Sequence, residues 1–117
     1  MKRPVNKKRE KELIVNVILF FVGTFAIALL YKSNFFLTAF ILLASIIVMK
    51  FWHKKGDIYF FIVGAIIGPV GEIIDIHFGA WQYSNPTFLG IPLWLPLTWG
   101  LGMVMIRRFA ELLKDRN

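Results

Sequence analysis

Apolar residues fill four long stretches of the chain, which short polar connections separate. The stretches cover residues 13–31, 35–52, 58–78 and 88–106, and the connections are rich in Lys, Asn, Gly, Ser and Pro. A helix needs about 17 to 25 apolar residues to cross a bilayer. Lipid tails cannot form hydrogen bonds with backbone N–H and C=O groups, so each span must pair these groups internally. The pattern therefore predicts an all-α integral membrane four-helix bundle, with residues 1–117 as one transmembrane domain.

Composition supports a membrane location and excludes several kinds of site. Apolar residues make up 57% of the 117 residues, more than a soluble core of this size can bury. The chain contains no cysteine, so a disulfide framework and a thiolate metal site are impossible. With two histidines far apart in sequence, we do not expect a zinc site.

Basic residues are distributed unevenly between the two sides of the predicted bundle. Thirteen of the fourteen lie before the first stretch, near the second connection or after the last stretch, and Lys32 alone lies on the other side. The positive-inside rule then predicts a multi-pass protein of the cell (inner) membrane with cytoplasmic N and C termini. The net charge of +7 fits contact of the basic ends with anionic lipid headgroups. Because the sequence shows no soluble module, we expect no nucleic-acid partner.

The third predicted helix carries small and acidic residues on one face. Gly64, Gly68, Glu72, Asp75 and Gly79 follow one another at spacings of four, four, three and four, which places them on one helical stripe. The two glycines of the first pair form a small-xxx-small motif that lets a neighbouring helix approach closely. The carboxyl groups should therefore face a packed helix or a cavity.

Glu72 is the strongest candidate for a functional group. At 1.5 Å per residue it lies about 21 Å from Ile58, in the outer half of the membrane. A charge at such depth costs at least about 2.5 kcal/mol on insertion scales, and burial without a counter-charge favours the neutral form. We therefore interpret Glu72 as a proton donor, with Asp75 and His77 as neighbouring acid–base candidates. These last two also fit a solvated helix end.

Aromatic and polar residues converge near the same outer surface. The candidates to line a substrate site are Trp81, Tyr83, Trp94, Thr98 and Trp99. Trp81, Tyr83 and Trp94 also fit interfacial anchors.

Three elements of this region resemble a known family. They are Glu72, the string "FGAWQY" at 78–83 and the string "GIPLWLPLTW" at 90–99, within residues 68–103. Together they resemble the membrane-embedded carotenoid hydratase family and, more distantly, the lycopene cyclase domain. The resemblance implies protonation of a terminal double bond of a polyene by Glu72, without metal or cofactor. Hydratases are longer and have more spans, so for this chain the resemblance also implies either a homo-oligomer or a site that is smaller than theirs.

Three functions remain open from the sequence. The first is binding or acid-catalysed modification of an isoprenoid or carotenoid-like membrane lipid at the outer-half acidic and aromatic site. The second is a non-catalytic subunit whose glycine stripe binds a helix of a partner membrane protein. The third is a small proton-coupled transporter, which would require polar residues continuing to the cytoplasmic side.

Overall fold

The protein folds into four α-helices, as seen in a computed structural model that describes residues 7–51 and 54–114. No strand occurs in the described residues, so the predicted all-α architecture is confirmed. The helices are α1 Lys7–Leu30, α2 Asn34–Phe51, α3 Asp57–His77 and α4 Leu95–Lys114. Three of them, α1, α2 and α3, are long and apolar enough to cross a membrane.

The first three helices overlap the predicted stretches closely. α1 already includes Lys7, which lies before the apolar stretch, because Lys and Glu are good helix formers and let the helix continue beyond the apolar residues. α2 matches residues 35–51, while the predicted end at residue 52 lies outside the described residues. α3 covers the third stretch and continues through Pro69, which is buried.

The fourth stretch differs from the prediction of one helix over residues 88–106. Residues 88–94 are irregular, and α4 begins only at Leu95. A tight turn precedes it, in which Leu89 and Gly90 both have positive φ, 49° and 84°, as a type I′ turn requires. Pro96 lies in the first turn of the helix, where its missing N–H is harmless. The helical part of the apolar stretch, residues 95–106, is about 18 Å long.

The irregular segment, residues 79–94, is partly buried against the helices. Ile91 is fully buried and Trp94 is 5% exposed, and both belong to a core cluster with Leu37 and Ile41 of α2. The segment is also fixed by hydrogen bonds, including Asn34 Nδ2 donating to the Asn85 carbonyl at 2.7 Å. The buried residues Ile91 and Trp94, together with these hydrogen bonds, hold the segment against the helices.

The bundle has two chemically different ends. At the basic end, the start of α1, the α2–α3 turn and the end of α4 meet, as the 2.8 Å ion pair between Lys54 and Glu12 illustrates. At the loop end, the α1–α2 turn meets the irregular segment, and Asn85 Nδ2 donates to the Lys32 carbonyl at 2.9 Å. The two ends therefore lie on opposite sides of the apolar helices.

Helices α3 and α4 pack closely against each other where glycines of α3 face residues of α4. A Cβ atom at Gly64 would lie 2.5 Å from Met103 Cγ and 2.7 Å from the Trp99 carbonyl oxygen. At Gly68 a Cβ atom would overlap the indole ring of Trp99. The glycine pair that the sequence assigns to helix packing thus lies against α4 of the same chain.

Candidate functional site

The Glu72 carboxylate is half-buried and bonded by two aromatic side chains from different elements. The Tyr83 hydroxyl, from the irregular segment, donates a hydrogen bond to Oε1. The Trp99 indole N–H, from α4, donates a hydrogen bond to Oε2. The contact therefore joins α3, the irregular segment and α4 at one carboxyl group.

Local packing explains why the two donors reach Glu72. Trp99 lies over Gly68, one helical turn before Glu72, and only the missing Cβ leaves room for its ring. Tyr83 is fixed from the other side by Trp94, whose ring is perpendicular to it at a centroid distance of 6.1 Å. Trp94 itself belongs to the buried core, so the position of Tyr83 is coupled to the core of the loop end.

The two donors differ in what they allow chemically. An indole N–H only donates, so Oε2 of Glu72 must act as an acceptor. A hydroxyl both donates and accepts, so the Tyr83 oxygen can donate to Oε1 when Glu72 is ionised and accept from it when Glu72 is protonated. Burial, followed by the hydrogen bond to Glu72, raises the pKa of Tyr83 above its ordinary value of 10.0. Tyr83 therefore stays protonated at physiological pH and remains available as a donor.

A groove of about 550 Å³ runs along α3 and α4 beside Glu72. Apart from the carboxyl groups of Glu72 and Asp75, its surface is glycine, aliphatic and aromatic, and none of the lining residues is basic. The lining consists of Val63, Gly64, Ile67, Gly68, Gly71, Glu72, Asp75, Trp81, Trp99 and Met103. We call it the α3–α4 groove; it combines an apolar surface with a polar centre at Glu72.

The structure brings some of the other sequence candidates to this groove and separates others from it. Asp75 and Trp81 line it. His77 is exposed at the end of α3, where its ring contacts Phe78 at 5.4 Å between centroids, and it does not line the groove. The Thr98 hydroxyl donates to the Trp94 carbonyl at 3.0 Å, within its own chain segment, and does not line the groove either.

A second polar cluster, at the basic end, was not predicted from the sequence. The Asp57 carboxylate is fully buried and accepts hydrogen bonds from Arg108 Nη2 at 2.6 Å and Arg107 Nη1 at 3.1 Å. The Lys54 backbone N–H donates to it at 2.9 Å. Its signal in the sequence was an acidic residue at the start of one apolar stretch and two arginines at the end of another, on the same predicted side.

The lining of the groove offers two carboxyl groups, those of Glu72 and Asp75. Across residues 7–51 and 54–114, no group of three His, Asp or Glu side chains could hold a metal ion. Comparisons with protein-family models, with curated proteins and with solved structures gave no match. The fold thus defines the class: a small all-helical protein whose apolar helices are compatible with a membrane location.

Proposed function

We propose that the α3–α4 groove binds an isoprenoid-like membrane lipid and that Glu72 acts on this lipid as an acid–base group. One observation carries the proposal: a carboxyl group, bonded by Tyr83 and Trp99, lies beside a groove on apolar helices whose lining is apolar except for Asp75 and Glu72. The volume of the groove, about 550 Å³, is typical of small-molecule sites. In the orientation that the basic residues favour, both termini are cytoplasmic and the site faces the outer leaflet.

The resemblance described above adds support from the motifs. It rests on Glu72 and on two separate strings, and one residue of each string contacts this carboxyl group: Tyr83 from the first and Trp99 from the second. A shared motif is more informative when its parts meet in space, because each part can then contribute to one reaction.

The proposed reaction is hydration of a terminal double bond. Glu72 donates its proton to the terminal carbon, and a tertiary cation forms at the adjacent carbon. The rings of Trp81 and Trp99 lie beside the groove and stabilise this cation. Water then bonds to the cation and releases a proton to Asp75. We prefer Asp75 to His77 as the base because Asp75 lines the groove and His77 does not. The cycle closes when the proton taken up by Asp75 returns to Glu72 through water, while the Tyr83 hydroxyl keeps its own proton.

The two other functions gain less from the geometry. Gly64 and Gly68 already contact α4, so they no longer favour a helix from a partner protein. From Glu72 towards the basic end, the groove is lined by Gly68, Ile67, Gly64 and Val63, which offer no polar side chain for an ion pathway.

Lipid analysis of groove-filled variants tests the binding step. A Cβ at Gly71 or at Gly102 would meet no neighbouring atom within 4 Å, but only Gly71 lines the groove. We expect wild type and Gly102→Leu purified from an isoprenoid-producing host to carry an isoprenoid that Gly71→Leu lacks. Identical lipids in all three preparations, or no isoprenoid in wild type, would contradict the proposal.

A further inference from the structure

The charge of the α3–α4 groove is opposite to that of the protein as a whole. The chain carries a net charge of +7, yet the groove contains two carboxyl groups and no basic residue. Within residues 7–51 and 54–114, no lysine or arginine forms an ion pair with Glu72 or Asp75. The acidic residues at the basic end, in contrast, have basic partners, as Asp57 and Glu12 show.

The aromatic residues of the groove reinforce this charge preference. Trp81 is 45% exposed and Trp99 is 36% exposed, so both rings are accessible from the groove. The face of an indole ring attracts cations, and the attraction grows when water is excluded. The hydrogen bond between Trp99 and Glu72 fixes one ring directly beside a carboxyl group.

We propose that the α3–α4 groove binds hydrophobic cations, such as amphiphilic amines and quaternary ammonium or phosphonium ions, in preference to neutral or anionic compounds of the same shape. A cation supplies the counter-charge that the chain does not provide to Asp75, or to Glu72 once Glu72 has released its proton, while its apolar groups contact the glycine and aliphatic lining. The inference rests on the proposed function only in taking the groove as a ligand site. The same preference would stabilise the carbocation of the proposed reaction, so a stable cation should inhibit it.

Tetraphenylphosphonium and tetraphenylborate are suitable probes because they have the same shape and opposite charge. Binding is measured by equilibrium dialysis of the purified protein in neutral detergent, with protein-free micelles subtracted. We expect saturable binding of the phosphonium and at least tenfold weaker binding of the borate, about the size of a desolvated cation–π contact. Equal binding of both ions would overturn the proposal.

Charge-neutralising variants show whether the preference originates in the groove. Glu72→Gln with Asp75→Asn should weaken phosphonium binding about tenfold or more, whereas Glu10→Gln, which removes one carboxyl group from the exposed first turn of α1, should change nothing. Asp75→Asn alone keeps the contacts of Glu72 and should weaken binding severalfold even if the double variant misfolds. Unchanged binding in Asp75→Asn and in the folded double variant would overturn the proposal.

The two proposals fail in different ways. If an isoprenoid copurifies with the protein but the phosphonium shows no preference over the borate, the cation inference is wrong and the lipid proposal stands. If the phosphonium binds, and Gly71→Leu blocks it, while no isoprenoid is found in any preparation, the lipid proposal is wrong and the cation inference stands.

Discussion

Gly68 offers the sharpest test of how the site is built, because a single methyl group there should displace Trp99. A Cβ atom at this position would overlap the indole ring in the structure. The ring cannot move without stretching or breaking the hydrogen bond from its N–H to Glu72. We therefore expect Gly68→Ala to loosen both the α3–α4 contact and the Glu72 site.

The expected loss of stability follows from three contributions. Overpacking a tight contact costs about 1–3 kcal/mol. Loss of a hydrogen bond to a charged group costs about 1.5–3 kcal/mol. Replacing glycine by alanine inside a helix returns about 1 kcal/mol. We expect Gly68→Ala to lower the free energy of unfolding by about 1.5–5 kcal/mol.

Gly71→Ala is the matched control for this change. It lies on the same helix, also lines the groove, and its Cβ would meet no atom within 4 Å. It should leave stability unchanged or raise it by up to about 1 kcal/mol. Both variants can be compared by equilibrium unfolding with sodium dodecyl sulfate in mixed micelles, followed by far-UV circular dichroism and tryptophan fluorescence.

Equal stabilities of Gly68→Ala and Gly71→Ala would contradict the predicted clash between residue 68 and Trp99. In that case the glycine at 68 would not be required for the approach of α4, and the position of Trp99 over α3 would lose its explanation. A Trp99 fluorescence spectrum that is unchanged in Gly68→Ala, measured against Trp99→Phe, would contradict the predicted displacement of the ring.

Three further predictions concern the basic end, the Tyr83 donor and the orientation. Asp57→Asn should destabilise the protein by about 3–5 kcal/mol in the same unfolding assay, since it removes a buried counter-charge, whereas Glu111→Gln in an exposed pair should cost at most about 1 kcal/mol. Tyr83→Phe should remove from the ultraviolet pH titration a tyrosine that ionises above pH 10.0, because burial and the hydrogen bond to Glu72 raise the pKa of Tyr83; an unchanged titration would contradict this. A cysteine at Ser84 should label from outside intact cells and one at Lys114 should not; the reverse would invert the orientation.

The sequence predicted the helices where one physical constraint dominated. Long apolar stretches with polar ends have few alternatives to α-helix in lipid, so α1, α2 and α3 fall close to their predicted bounds. The fourth stretch was different, because hydropathy does not distinguish a helix from a buried irregular segment. Gly90 and Pro92 signalled a turn, but that signal was weaker than the apolar length of the stretch.

The part of the site on α3 could be predicted from the sequence, whereas its contacts with other elements could not. The stripe on α3 follows directly from helical periodicity, so Glu72 could be placed from its own neighbours in sequence. Its donors could not, since Tyr83 is 11 residues and Trp99 27 residues further along the chain, and both contacts depend on how the irregular segment and α4 pack. The exposed position of His77 likewise depends on where α3 ends.

The most direct test of the proposed function is the conversion of an acyclic carotenoid in a lycopene-producing host. Chromatography compares the carotenoids of cells that express wild type, Glu72→Gln or Glu10→Gln, with equal membrane levels verified for each. If Glu72 is the acid, wild type and Glu10→Gln should form a more polar, hydrated product and Glu72→Gln should form none. Lycopene left unchanged by wild type, or the same product from Glu72→Gln, would contradict an acid–base role of Glu72 on this lipid.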